Sequence, residues 1–174
     1  MIKRGSGGFT LVELVIGLAL TAILLSALCN AFVVWGQGWK KSSARINLQQ
    51  NARIAMDAMV RELRYTAGKV IMPAEGATPV NIIEFRNTGD YKTLKFFVSS
   101  PSDYPGVLTL YRYAKDDRSP SFGIDQLTEP SQVYVKTLSF ERKNANTVEI
   151  RLMLSDRLYN LDEEIQTTIV CSNN

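Results

Sequence analysis

From Leu14 to Trp39 this chain carries no charged residue, and the position just before that run is a glutamate, Glu13. An apolar stretch of this length leaves few folds open. Wound as a helix at about 1.5 Å per residue, Phe9 to Val34 spans roughly 39 Å, more than the roughly 30 Å of a bilayer core. The run therefore reads as a membrane helix with an acid near its start. An unpaired carboxylate in hydrocarbon is costly, so Glu13 calls for a partner. A cut after Gly8 would leave an α-amine on Phe9, four residues before Glu13, on the same helix face or in a neighbouring copy. A partner of that kind exists only once the chain has been cut.

An ordinary secretory signal has its small-residue cleavage site after the hydrophobic core. Here Gly5, Gly7 and Gly8 precede it, which argues for a helix that is retained. Ala19, Ala22, Ser26 and Ala27 supply the alternative, a conventional signal whose removal would release a secreted β-rich protein. The segment Gly5-Ser6-Gly7-Gly8 reads as a flexible leader, and small residues also let an extended backbone enter a protease. It follows no strand, so it is not a phosphate-cradling loop. Lys3 and Arg4 favour a cytoplasmic leader, while Lys40, Lys41 and Arg45 follow the helix on its other side.

The string Gly8-Phe9-Thr10-Leu11-Val12-Glu13 resembles the cleavage and N-methylation motif of type IV prepilins and type II secretion pseudopilins. The resemblance implies that a membrane-embedded prepilin peptidase removes residues 1–8 by cutting between Gly8 and Phe9, then N-methylates Phe9. It implies that Glu13 neutralises the terminal amine of an adjacent subunit during filament assembly. Other pilin or pseudopilin subunits, an inner-membrane assembly platform and, before assembly, membrane lipid are the implied partners. The implied topology is single-pass, with the N-terminus in the cytoplasm and residues 40–174 outside, later in a periplasmic or surface filament. Related pilins often carry a proline in the membrane half of this helix, and here Met1 to Met72 has none.

The helix does not stop at the membrane surface. Leu48, Ala52, Ala55, Met56, Met59, Leu63 and Ala67 recur at spacings of three and four, while Arg45, Gln49, Arg53, Asp57, Arg61 and Arg64 take other faces. With Gly68 as a C-cap and Pro73 beyond it, the spacing predicts one helix from Phe9 to Ala67, about 60 residues long. The sequence Leu48-Gln-Gln-Asn-Ala-Arg53, with Ala55, Met56, Met59 and Arg61-Glu62-Leu63-Arg64, looks like the larger minor subunits of the family, the J or W type. The resemblance is compatible with service in a pilus, in type II secretion or in DNA uptake (competence), and with a place at a filament tip.

After Pro73 the period becomes alternating, predicting strands over Val80 to Arg86, Thr93 to Ser99, Val107 to Tyr113, Val133 to Lys143, Thr147 to Ser155 and Glu164 to Cys171. Val148, Ile150, Leu152 and Leu154 fall on one face of their strand, with Glu149, Arg151 and Ser155 on the other. In the strand before it, the apolar phase slips from Val133 and Val135 to Leu138 and Phe140, which predicts a bulge around Lys136-Thr137. The expected fold is α+β and pilin-like: a helix with a transmembrane half (9–39) and an amphipathic half (40–67), the latter packed on an antiparallel β-meander over 69–171. One globular domain, 40–174, with an anchor suits 174 residues that are 45% hydrophobic.

Candidates for other chemistry carry little. The chain has no histidine, the commonest general base and zinc ligand, so neither an enzyme nor a metal or other cofactor is expected. Asp116, Asp117, Asp125 and Glu129 lack the EF-hand spacing and read as part of a solvated loop, Lys115 to Pro130. The net charge of +3 does not call for nucleic acid. Arg45, Arg53, Arg61, Arg64 and Lys69 could line a basic stripe for DNA, but Asp57 and Glu62 interrupt them. Phe96, Phe97, Tyr111, Tyr113, Tyr134 and Phe140 are spaced as strand residues. Cys29 in the helix and Cys171 near the C-terminus are not placed for an internal disulfide.

Overall fold

The computed structural model describes residues 10–64, 70–87 and 92–171. Its first element is a single helix, α1 (Leu11–Arg64). The expected helix ends at Phe9 and Ala67, and the C-cap at Gly68, lie outside the described residues. The chain divides into two compact units, Met1–Ser42 and Ser43–Asn174, and α1 contributes to both.

In the first unit the helix is bare. Each large apolar side chain of α1 from Leu11 to Trp39 is more than half exposed. Its most apolar 18-residue window has a mean hydropathy of 2.4, and the helix is long and apolar enough to cross a membrane.

In the second unit the same helix is amphipathic, and Leu48, Ala52, Ala55, Met56, Met59 and Leu63 are its buried residues. These are the predicted dry stripe, less Ala67, which is not described. They enter one core with residues from two β-sheets. Burying each large member contributes about 2 kcal/mol. Polar ties add to it: Arg112 reaches Glu62 at 2.7 Å, and the backbone N–H of Glu129 donates to Asn51 Oδ1 at 3.2 Å.

The predicted single meander is in fact two. The strands β1 (Val70–Met72), β2 (Ile83–Asn87), β3 (Lys92–Ser99), β4 (Thr109–Asp116) and β5 (Phe122–Gln126) form a five-stranded antiparallel sheet in sequence order. The strands β6 (Val133–Asn144), β7 (Thr147–Asp156) and β8 (Asp162–Val170) form a second, three-stranded one. The split follows from β6, whose outer edge does not pair with a strand of the first sheet. It is taken up instead by loop residues: Val135 N–H donates to Leu108 O at 2.7 Å, and Val80 and Phe140 exchange bonds at 2.7 and 3.1 Å.

Val80 is thus an isolated bridge, not the start of a strand. The strands expected from Val107 and Glu164 begin instead at Thr109 and Asp162. The strands β1 and β5 were not expected. The second corrects the reading of Lys115 to Pro130 as one loop, since Phe122–Gln126 pairs with Tyr111–Lys115.

On the inner face of the first sheet, Ile83 pairs with Phe96 and Phe85 with Leu94, all buried. The second sheet contributes Val133, Val135, Leu138 and Phe140 from β6, and Val148, Ile150, Leu152 and Leu154 from β7. The bulge lies where the phase slip put it: Val135 pairs with Leu154 and Thr137 with Met153, leaving Lys136 over. Ser155, which the unbroken β7 register leaves on the face opposite Leu154, is fully buried there.

Candidate functional site

The N-terminus of α1 opens on a reciprocal cap. Thr10 precedes the first helical residue, and its Oγ1 accepts a bond from the Glu13 backbone N–H at 3.3 Å. In return, Glu13 Oε2 accepts from the Thr10 backbone N–H and from Thr10 Oγ1, each at 3.0 Å. This is a capping box: Thr at the cap and Glu three residues on satisfy backbone donors that a helix start leaves orphaned. An acid in the first turn also faces the positive end of the helix dipole.

The cap adds a role to Glu13 that the sequence analysis did not give it: Thr10 already supplies its carboxylate with hydrogen-bond donors in the uncut chain. Sequence reading missed Thr10, although the Thr-x-x-Glu spacing that identifies it lies within the string already singled out. Both Thr10 bonds fall on Oε2, and no bond from the described residues reaches Oε1. A second donor can be accepted there without undoing the cap. Gly8 and Phe9, the expected cleavage and methylation positions, lie outside the described residues.

Farther along the bare half, the Thr21 hydroxyl donates to Gly17 O at 2.7 Å, so this polar group is satisfied within the helix. Cys29 is exposed and Cys171 is buried, and burial pushes the Cys171 thiol up.

The other candidates do not converge on a site. Asp117 takes Arg86 at 3.1 Å and the Thr93 hydroxyl at 3.0 Å, and Asp125 takes Arg112 at 2.8 Å. Glu129 accepts from Ser131, and Asp116 from the backbone N–H of Arg118. Each of these four carboxylates is thus engaged locally, and among the described residues no cluster of three or more metal-ligating side chains forms. Arg45, Arg53, Arg61 and Arg64 are exposed on α1, and Lys69 is outside the described residues.

The aromatic set divides by face. Phe96 and Phe140 are core, Tyr134 is half-buried, and Phe97 stacks on Tyr111 on the outer face of the first sheet. Tyr113 stacks there on the exposed Phe122 of β5.

These observations define an α+β protein whose one described helix is apolar enough for a membrane and begins with a capped glutamate. Residues 3–28 match the family model described as the prokaryotic N-terminal methylation motif. The match supports a type IV prepilin-like N-terminus, on a chain whose helix is followed by antiparallel sheets. No curated protein and no solved structure matches it.

Proposed function

We propose that this chain is a minor pilin or pseudopilin, a structural subunit that prepilin peptidase cuts between Gly8 and Phe9 and methylates on the new Phe9 amine. The methylation-motif match over residues 3–28 carries the reading. Residues 9–39 then hold the subunit in the cytoplasmic membrane, and residues 40–174 lie outside it. Assembly with other subunits draws the helix from lipid into a filament, and a head-to-tail contact of this kind propagates without closing.

The capping box sharpens the role of Glu13. Its Oε2 fixes the helix start at Thr10, two residues after the proposed scissile bond. Its Oε1 is the acceptor for the cationic amine of a neighbouring Phe9. The two jobs separate by substitution. Glu13→Gln keeps an acceptor for the Thr10 N–H but removes the charge, whereas Thr10→Ala weakens the cap and leaves the charge.

The test is mass spectrometry of the mature N-terminus, together with the fraction of subunit recovered in sheared or co-purified filaments. N-methylated Phe9 in wild type, with an unprocessed precursor for Gly8→Arg, is expected. A terminus beyond Ala27 would overturn the reading. Glu13→Gln should be cut normally yet fail to assemble, while Thr10→Ala should still assemble. If Glu13→Gln assembled like wild type, the charge pairing would have to be abandoned.

A further inference from the structure

The chain has two tryptophans, Trp35 and Trp39, one turn apart on α1 and about two-thirds exposed, at 68% and 69%. With Gly36 and Lys40 they line an open groove of about 410 Å³ on one side of the helix. A Cβ added at Gly36 would meet nothing within 4 Å, so the missing side chain leaves that groove unobstructed.

The position of the pair along the sequence is informative. Leu14 to Trp39 is free of charge, and Lys40 and Lys41 follow at once. An indole has an apolar body and one N–H donor, which suits it to the zone where acyl chains give way to ester carbonyls. Ammonium groups one step farther on reach the phosphates, and their flexible stems lie along the apolar surface while the heads stay wet.

We propose that Trp35, Trp39, Lys40 and Lys41 are a lipid-interface anchor, seated among phospholipid headgroups, that sets the depth of α1 in the bilayer. The proposal rests on the reading that this helix spans a membrane. It has a consequence at the other end. At about 1.5 Å per residue, Glu13 lies roughly 33 Å along the axis from Trp35, against a hydrocarbon core of roughly 30 Å. With the indoles held at one interface, the carboxylate and its capping box lie at the opposite one. Glu13 is then kept at the edge of the hydrocarbon, where a polar helix start is tolerated.

The experiment uses the full chain in vesicles of phosphatidylcholine and phosphatidylglycerol, with the intrinsic emission of its two tryptophans as the signal. Flotation comes first, and failure to float overturns the membrane reading itself. For protein that floats, Trp35→Phe and Trp39→Phe each leave one indole, whose depth is read by lipids brominated at different levels of the acyl chain. The expected result is blue-shifted emission, quenched most by bromines near the headgroup, with Trp39 shallower than Trp35. Strongest quenching from the bilayer centre would overturn the anchor. So would emission insensitive to brominated lipid and quenched by aqueous iodide, or shielded from both by a neighbouring helix.

Discussion

The two halves of α1 share one backbone, yet they solve opposite problems. Between Leu11 and Ser42 the apolar side chains go all round the helix and none of the large ones is buried by the protein. Between Ser43 and Arg64 one stripe of them is sealed by two sheets, while Ile46 and Ile54 outside it stay exposed. A helix apolar on every side needs an apolar surrounding, whereas a striped helix needs a folded partner and water. The contrast teaches that backbone continuity does not imply a common solvent, and the change falls where the two units meet in sequence, after Ser42.

The sharpest way to break this contrast is to put the same charge into each half. Leu63→Asp buries a carboxylate in the sealed stripe and should destabilise the second unit by upwards of about 4 kcal/mol. Thermal unfolding of the full chain in detergent, followed by circular dichroism, measures it. Leu24→Asp should leave that unfolding transition where it is, because Leu24 is 65% exposed and touches no core. Its effect should appear instead as lower recovery in the membrane fraction, since an aspartate at the centre of a membrane helix costs about 3 kcal/mol on insertion. Equal loss of unfolding stability in both variants would mean that the halves do not face different surroundings.

The stripe was legible in the sequence because a helix has one period and its burial depends on that period alone. Six of the residues picked by spacing are the ones buried. The bulge at Lys136 was legible for the same reason, as a slip in an alternating phase. Sheet membership was not, because it depends on where the outer edge of β6 finds hydrogen-bond partners, and Leu108 and Val80 are far away in sequence. The strand β5 was missed because it is a free edge with every residue exposed, so Phe122 and Ile124 alternate against no buried face. At the candidate site, Glu13 stood out by its charge, while Thr10 looked like an ordinary neighbour.

Polar ties in the second unit make the comparison finer. Arg112 is the clamp, reaching Glu62 on α1 at 2.7 Å and Asp125 on β5 at 2.8 Å from its two terminal nitrogens. Arg112→Met keeps the stem and loses the fork, and should lower unfolding stability by about 1–2 kcal/mol. Arg112→Lys should recover only part of this, because one ammonium does not reproduce a planar two-pronged donor. A full recovery in equilibrium denaturation would show that charge alone, without the fork, joins the helix to the sheet edge.

The smallest effect is expected where the second unit meets water. The bulge leaves Lys136 outside the regular pairing, and its Nζ lies 2.6 Å from Asp162 Oδ2. That bond holds the Asp162 carboxyl below its ordinary value and the Lys136 ammonium above its own. A carboxylate depressed on folding stabilises above its unfolded value and loses that contribution as pH falls through the folded one. An ammonium raised on folding stabilises below its unfolded value and loses the contribution as pH rises through the folded one. The pair should therefore matter between the ordinary values of its members, 3.8 and 10.5, and fade beyond both. Both side chains are more than a third exposed, so salt should screen it. Melting curves of wild type and Lys136→Met should separate slightly at neutral pH and low salt, then converge in acid or in high salt. A gap that persists in acid would place the effect in the packing of the lysine stem across the bulge rather than in its charge.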